Sequence, residues 1–139
     1  MDLPAWAATL IAALVAGLFL FHVHRVNSRR AAATRIRGSF TPALGRLEAA
    51  LRHRTTHDVP DVDGLLRQQF ESHAGAVKEY RHYISARRRK AYDETWEAYC
   101  YLVAGANAQP VFIASTLGDD PYAVLIEHID AILRFAPDT

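Results

Sequence analysis

Cysteine and lysine are scarce in this sequence. Cys100 is the only cysteine among 139 residues, so no internal disulfide can form, and a small secreted fold held by disulfides is excluded. The chain has 2 lysines against 14 arginines and 24 alanines. Arginine and alanine codons can be rich in G and C whereas lysine codons cannot, so this usage is typical of a GC-rich bacterial genome. No glycine-rich phosphate-binding motif, internal repeat or low-complexity linker is present.

Charge is absent from one long stretch near the N-terminus. The 21 residues from Leu3 to Val23 carry no charged side chain. As a helix they would span roughly 31 Å, close to the ~30 Å hydrocarbon core of a bilayer. A signal peptide would need a basic leading segment and a shorter apolar centre, and a soluble core helix would need apolar partners on every side. The sequence therefore favours a transmembrane anchor over residues 1–24.

Five arginines follow the apolar stretch, and neither lysine nor arginine precedes it. By the positive-inside rule, the N-terminus is predicted outside and the C-terminal part in the cytoplasm, which for a bacterium makes the membrane the inner one. The same side chains are predicted to contact anionic lipid headgroups. We assign residues 25–38 to a basic juxtamembrane extension of the helix that ends at Gly38. The five arginines are Arg25, Arg29, Arg30, Arg35 and Arg37.

Residues 39–139 are predicted to form one cytoplasmic helical domain. Thr41 followed by Pro42 marks a helix start, apolar side chains recur at helical spacing from Val62 to Ile84, and Asp120 caps a last helix. The basic run at 87–90 is interpreted as a break between two helices. The predicted fold is all-α: one N-terminal transmembrane helix followed by a small bundle of about four helices. Its basic half should face the lipid and its acidic half, residues 93–139, should face away.

Aromatic and apolar side chains on two of these helices are predicted to form the core of the domain. His73 lies inside one such stripe, where a hydrogen-bonded buried imidazole is the ordinary outcome and a general base would need a reactive partner. Cys100 is interpreted as a small core residue. The predicted packing residues are His73, Val77, Tyr80, Tyr92, Trp96 and Tyr99.

Small side chains line one face of the predicted anchor. Ala5, Thr9, Ala13 and Gly17 recur every four residues, and small residues allow two membrane helices to approach closely. We predict helix association through this face, although an alanine-rich span shows such spacing by chance as well.

Other polar groups give weaker signals. His53 and His57 are four residues apart but have no third ligand at a metal-site spacing, so no metal or other cofactor is expected. Asp93, Glu94 and Glu97 are interpreted as solvent-exposed ion-pair partners. The basic run at 87–90 is compatible with phosphates of lipid, with solvated salt bridges or, less well, with nucleic acid, which we do not expect as a partner.

One segment resembles a known pattern. Residues 73–99, read as H-x2-AV-x-EYR-x2-I…YD-x2-W-x2-Y, are similar to a pattern in small proteobacterial proteins of unknown function, some with one N-terminal span. The resemblance supports a bacterial origin and implies no activity. The matching residues are His73, Ala76, Val77, Glu79, Tyr80, Arg81, Ile84, Tyr92, Asp93, Trp96 and Tyr99. Among them, Glu79 and Arg81 are hypothesised to form an ion pair with Asp93.

The leading functional hypothesis is a non-enzymatic, single-pass inner-membrane protein that acts as a protein-binding adaptor or accessory subunit of a membrane complex. Its expected partners are membrane lipid and either another protein or a second copy of the chain. The alternative is a membrane-acting effector, such as a toxin or antiviral component, that oligomerises through its transmembrane helix. A membrane-bound enzyme of unrecognised type is the third class considered.

Overall fold

The computed structural model describes residues 4–52, 62–104 and 120–136. Within these ranges the chain forms four helices and no strand, which confirms the all-α prediction. The helices are α1 (Ala5–Arg52), α2 (Val62–Arg81), α3 (Ala86–Ala104) and α4 (Pro121–Leu133). The chain divides into two compact units, residues 1–31 and residues 32–139.

The first unit contains the apolar beginning of α1. This helix is long enough and apolar enough to cross a bilayer, and none of its most apolar 18-residue window is buried. Large apolar side chains are exposed all around it, which water would penalise and hydrocarbon would not. The most exposed of them are Trp6, Leu14, Leu18, Phe19, Leu20 and Phe21.

The predicted helix break between Gly38 and Thr41 is wrong, because α1 continues through both residues and through Pro42. Proline removes one helical hydrogen bond and costs about 3 kcal/mol inside a helix. Phe40, Ala43 and Leu47 are fully buried along this part of α1. Burying one large apolar side chain contributes about 1.5–3 kcal/mol, so Phe40 and Leu47 together offset the cost of the proline.

The second unit is a helical bundle that begins at Ala32, whereas the sequence places the start of the domain at residue 39. Ala32, Ala33 and Ile36 are buried, so the last turns of the predicted juxtamembrane extension belong to the core. Further along α1, Phe40, Ala43, Leu47 and Ala50 follow at three- and four-residue steps. The other helices supply Leu66, Val77, Tyr80, Ile84, Tyr92, Tyr99, Leu102, Val103, Leu125, Ile129, Ile132 and Ala136.

The break between α2 and α3 lies at residues 82–85 and not at 87–90. Short backbone bonds of the i to i+3 type close the end of α2, with Tyr83 N–H donating to the Tyr80 carbonyl at 2.9 Å. The buried side chain of Ile84 holds this turn against the core. The basic run therefore occupies the first turns of α3.

The start of α4 is the one that the sequence predicts. The Asp120 carboxylate accepts a hydrogen bond from the Tyr122 backbone N–H at 3.0 Å, and Pro121 is the first residue of the helix. Leu125, Ile129 and Ile132 are buried on its inner face, as predicted. α3 packs against both α2 and α4 and is the central helix of these three.

Replacing Phe40 by alanine should destabilise the bundle by about 3–5 kcal/mol, because a fully buried aromatic side chain is removed and a cavity remains. Denaturant unfolding of the detergent-solubilised full chain, followed by circular dichroism, measures the change. Tyr101→Ala is the matched control, because Tyr101 is 64% exposed and should change stability by less than about 1 kcal/mol. Equal losses from the two variants would contradict the burial of Phe40.

Candidate functional sites

The predicted association face lies on the exposed apolar part of α1. Thr9, Ala13 and Gly17 are exposed at four-residue steps, and Ala5 is the first residue of the helix. Among the described residues, no atom outside the helix lies within 4 Å of the position that a β-carbon at Gly17 would occupy. A shallow apolar groove follows this face, lined by Leu10, Ala13, Leu14, Gly17 and Leu18. The geometry leaves room for a second helix backbone.

The five arginines predicted to contact lipid divide into two groups. Arg25, Arg29 and Arg30 are exposed in the first unit. Arg35 instead forms an ion pair with Glu79 of α2, with 2.7 Å between Nη1 and Oε1. Arg37 donates from Nε to the Ala136 carbonyl at 2.8 Å. These last two arginines connect α1 to the bundle.

A buried histidine joins three helices at the centre of the bundle. His73 is fully buried. Its Nε2 lies 2.9 Å from the Ser39 carbonyl on α1, and its Nδ1 lies 2.9 Å from the Tyr99 hydroxyl on α3. The Phe40 ring stacks on the imidazole with 4.1 Å between centroids.

The partners of His73 define its proton position. A carbonyl oxygen can only accept, so Nε2 carries the hydrogen and donates to Ser39, and Nδ1 of the neutral ring accepts from the Tyr99 hydroxyl. Burial lowers the pKa of His73, and the bond to Ser39 opposes that shift less strongly. Burial also raises the pKa of Tyr99, which keeps its hydroxyl protonated. The pair is neutral and satisfied.

The remaining predicted packing residues extend this cluster. Trp96 stacks between Phe70 and Tyr99, with centroid distances of 5.7 Å and 5.4 Å. Tyr80 donates its hydroxyl hydrogen to the Phe135 carbonyl at 2.9 Å, and Tyr92 donates to the Val77 carbonyl at 3.0 Å. Burial raises the pKa of Tyr92. These tyrosines pack their rings in the core while their hydroxyls join neighbouring helices.

The hypothesised ion pair forms between Arg81 and Asp93. Two parallel bonds of 2.7 Å connect the guanidinium to the carboxylate, and they lower the pKa of Asp93. Glu79 pairs with Arg35 and not with these residues. The expectation that the basic half faces lipid and the acidic half faces away stays a prediction.

Other candidate groups gain no reactive arrangement. Cys100 is half-buried, and burial followed by the nearby Glu97 carboxylate raises its pKa, which disfavours the thiolate. In the described ranges no three histidine, cysteine or acidic side chains gather as a metal site. His53 and His57 lie outside those ranges.

Comparison of the chain with protein-family models, with curated proteins and with solved structures gives no match.

Phe40 and Ser39 are the partners that sequence reasoning missed. Phe40 stood next to the predicted helix break, where the pattern of α1 was interrupted by Gly38 and Pro42. The helical spacing of Ile36, Phe40, Ala43 and Leu47, in steps of four, three and four residues, indicates this buried face. The Ser39 carbonyl has no sequence signal, because any residue supplies a carbonyl oxygen.

Acid should weaken the bundle through His73. The pKa of His73 is lower in the folded chain than in the unfolded chain, so the neutral imidazole contributes to the free energy of unfolding. This contribution is complete above about pH 6.5, the ordinary pKa of histidine, and is lost as the pH falls below that value. One proton taken up on unfolding changes the free energy of unfolding by at most about 1.4 kcal/mol per pH unit. His73→Gln keeps a donor and an acceptor but does not titrate. Denaturant unfolding between pH 5 and pH 8 should show a smaller pH slope for this variant than for the native chain. Identical pH slopes for the variant and the native chain would show that His73 does not cause the loss of stability in acid.

Proposed function

We propose that the chain is a single-pass protein of the bacterial inner membrane, with its N-terminus outside and its bundle in the cytoplasm. In this proposal it acts as an adaptor or accessory subunit that brings another protein to a membrane complex. Binding is the activity, and no chemical step is assigned to the bundle.

The observation that carries the proposal is the single continuous helix α1. Large apolar side chains between Trp6 and Phe21 are exposed, and its later turns supply buried core residues from Ala32 to Ala50. A bilayer would cover the exposed part, and the arginines that follow favour the cytoplasmic side. His73, a fully buried polar residue in the described part of the bundle, connects helices, which supports a structural use of the core.

A candidate surface for the partner lies on α3. Glu94, Glu97, Ala98 and Tyr101 are exposed and follow steps of three, one and three residues, so they share one helix face. Tyr101 is 64% exposed, one of the few large apolar side chains exposed in the described part of the bundle. Tyrosine is enriched among residues that dominate binding energy, and the carboxylates favour a partner with basic groups.

Tyr101→Ala should weaken binding of the partner by at least tenfold. If Tyr101 contributes about 2 kcal/mol to binding, the loss is roughly 30-fold. Tagged full-length chain is purified from detergent-solubilised native membranes, and mass spectrometry with the native particle mass identifies what comes with it. Leu51→Ala, at an exposed apolar residue that belongs to α1 and not to α3, is the control and should retain the partner. Unchanged recovery with Tyr101→Ala would exclude this face, and absence of any stoichiometric partner would argue against the adaptor.

The second candidate is a membrane-acting effector that oligomerises through α1. The supporting observation is the apolar groove along Ala13 and Gly17, which leaves their side of the helix open to another copy. Small residues at such a groove allow close packing of helix backbones in lipid.

Gly17→Leu and Ala13→Leu fill this groove and should shift a self-assembled particle to the monomer, because the backbones can no longer approach. The native mass of the solubilised chain measures the shift, and growth arrest on expression reports the effector activity. Val15→Leu enlarges the opposite face as the control and should change neither. Tolerance of both groove variants in both measurements would remove this candidate.

A further inference from the structure

One end of the second unit gathers cationic residues that are far apart in the sequence. We call it the Ala32 end, comprising residues 32–37 of α1, residues 79–90 around the α2–α3 turn, and residues 134–136 after α4. Three contacts bring the parts together: Arg35 to Glu79 at 2.7 Å, Arg37 to the Ala136 carbonyl at 2.8 Å, and Tyr80 to the Phe135 carbonyl at 2.9 Å.

The directions of the helices explain why the charges meet there. α2 runs opposite to α1, because Ser39 faces His73 while Arg35 faces Glu79. α3 then begins at the same end, so the run of residues 87–90 lies beside the end of α4. The guanidinium carbon of Arg88 stands 4.8 Å from the centre of the Phe135 ring.

Several of these cations have no carboxylate partner among the residues that the structure describes. Nearby acids are already engaged, with Glu79 on Arg35, Asp93 on Arg81, and Glu94 at 3.7 Å from Lys90. Arg87, Arg88 and Arg134 are exposed, and within the described ranges no carboxylate forms a salt bridge with them.

The position of the basic run is unfavourable for the helix itself. Arg87 and Arg88 lie in the first turn of α3, which has no acidic residue. The helix dipole presents partial positive charge at its N-terminus and favours anions there, so these arginines are disfavoured by the dipole and by one another. An external anionic surface would relieve both repulsions.

We propose that the Ala32 end docks on the anionic headgroups of the membrane that holds α1, with Arg87, Arg88 and Arg134 contacting lipid phosphates. The inference rests on the proposed anchoring of the chain. Nine residue steps join Val23 to Ala32, so even a fully extended chain keeps them within roughly 32 Å of each other. A surface tethered this closely to anionic lipid meets it at high effective concentration, and each basic residue near the headgroups adds to the attraction.

Arginine footprinting of the full chain in lipid nanodiscs tests this surface. Nanodiscs of equal parts phosphatidylglycerol and phosphatidylcholine are compared with phosphatidylcholine alone, and mass spectrometry follows phenylglyoxal modification of each arginine. Arg87 and Arg134 should react several-fold more slowly in the anionic discs, and high salt should remove the difference. Arg46 and Arg67 are exposed further along α1 and α2 and serve as internal controls whose rates should not change.

A matched pair of charge reversals separates the surface from net charge. Arg87→Glu with Lys90→Glu should abolish the lipid-dependent protection of Arg134. Arg46→Glu with Arg67→Glu makes the same change of charge elsewhere and should preserve it. Acidic residues suit the start of α3, so circular dichroism should show that the first variant keeps its helices.

Three results of the footprinting experiment would overturn the proposed docking on lipid headgroups. Equal rates in both lipids, with the chain incorporated in the discs, would overturn headgroup docking and leave the proposed function intact. Failure of the chain to enter either disc would overturn the proposed anchoring and this inference with it. Protection of Arg87 and Arg134 by added RNA, with none from phosphatidylglycerol, would overturn the lipid assignment in favour of nucleic acid.

Discussion

The arrangement of α1, α2 and α3 depends on a buried polar group that bonds to two other helices, the imidazole of His73. It donates to a backbone carbonyl of α1 and accepts from a tyrosine hydroxyl of α3 while it belongs to α2. A buried polar group without partners is costly, so these two bonds define how the three helices can be arranged. The rings of Phe40, Tyr99 and Trp96 pack around this point and exclude water from it.

The same connection explains why α1 passes through Pro42 as one helix. A helix that ended at Gly38 would leave Phe40 and Leu47 free to move away from the core, whereas they are fully buried. The hydroxyls of Ser39 and Thr41 donate to the carbonyls of Ile36 and Arg37, which are backbone acceptors of the same turns. Continuity of α1 means that the segment proposed to lie in the membrane and the segment buried in the bundle are parts of one element.

Arginines from distant parts of the sequence lie together at one end of the bundle. Arg37 and Arg88 belong to distant parts of the sequence. Arg37 nevertheless donates to the Ala136 carbonyl, and Arg88 lies over the Phe135 ring, so both contact residues that directly follow α4. The buried side chains of Tyr80, Tyr92 and Ile84 close the core at this end of the bundle, and their burial determines where these arginines lie. The acidic and aromatic face of α3, by contrast, is exposed.

Sequence alone determined the features that depend on local periodicity and composition. The apolar run of α1, the buried stripes of α2 and α4, and the Asp120 cap were predicted because helical spacing and capping act over a few residues. The sequence pattern grouped Arg81 and Glu79 as ion-pair partners of Asp93, and the structure shows the bidentate bond of Arg81 to Asp93. The pairing of Glu79 with Arg35 was not predicted. Tertiary structure alone decided that α1 continues past Gly38, that the α2–α3 break precedes residue 87, and that His73 bonds to Ser39. These outcomes depend on apolar side chains of distant segments that are buried against each other. The free energy of that burial outweighs local preferences, such as the tendency of proline to break a helix.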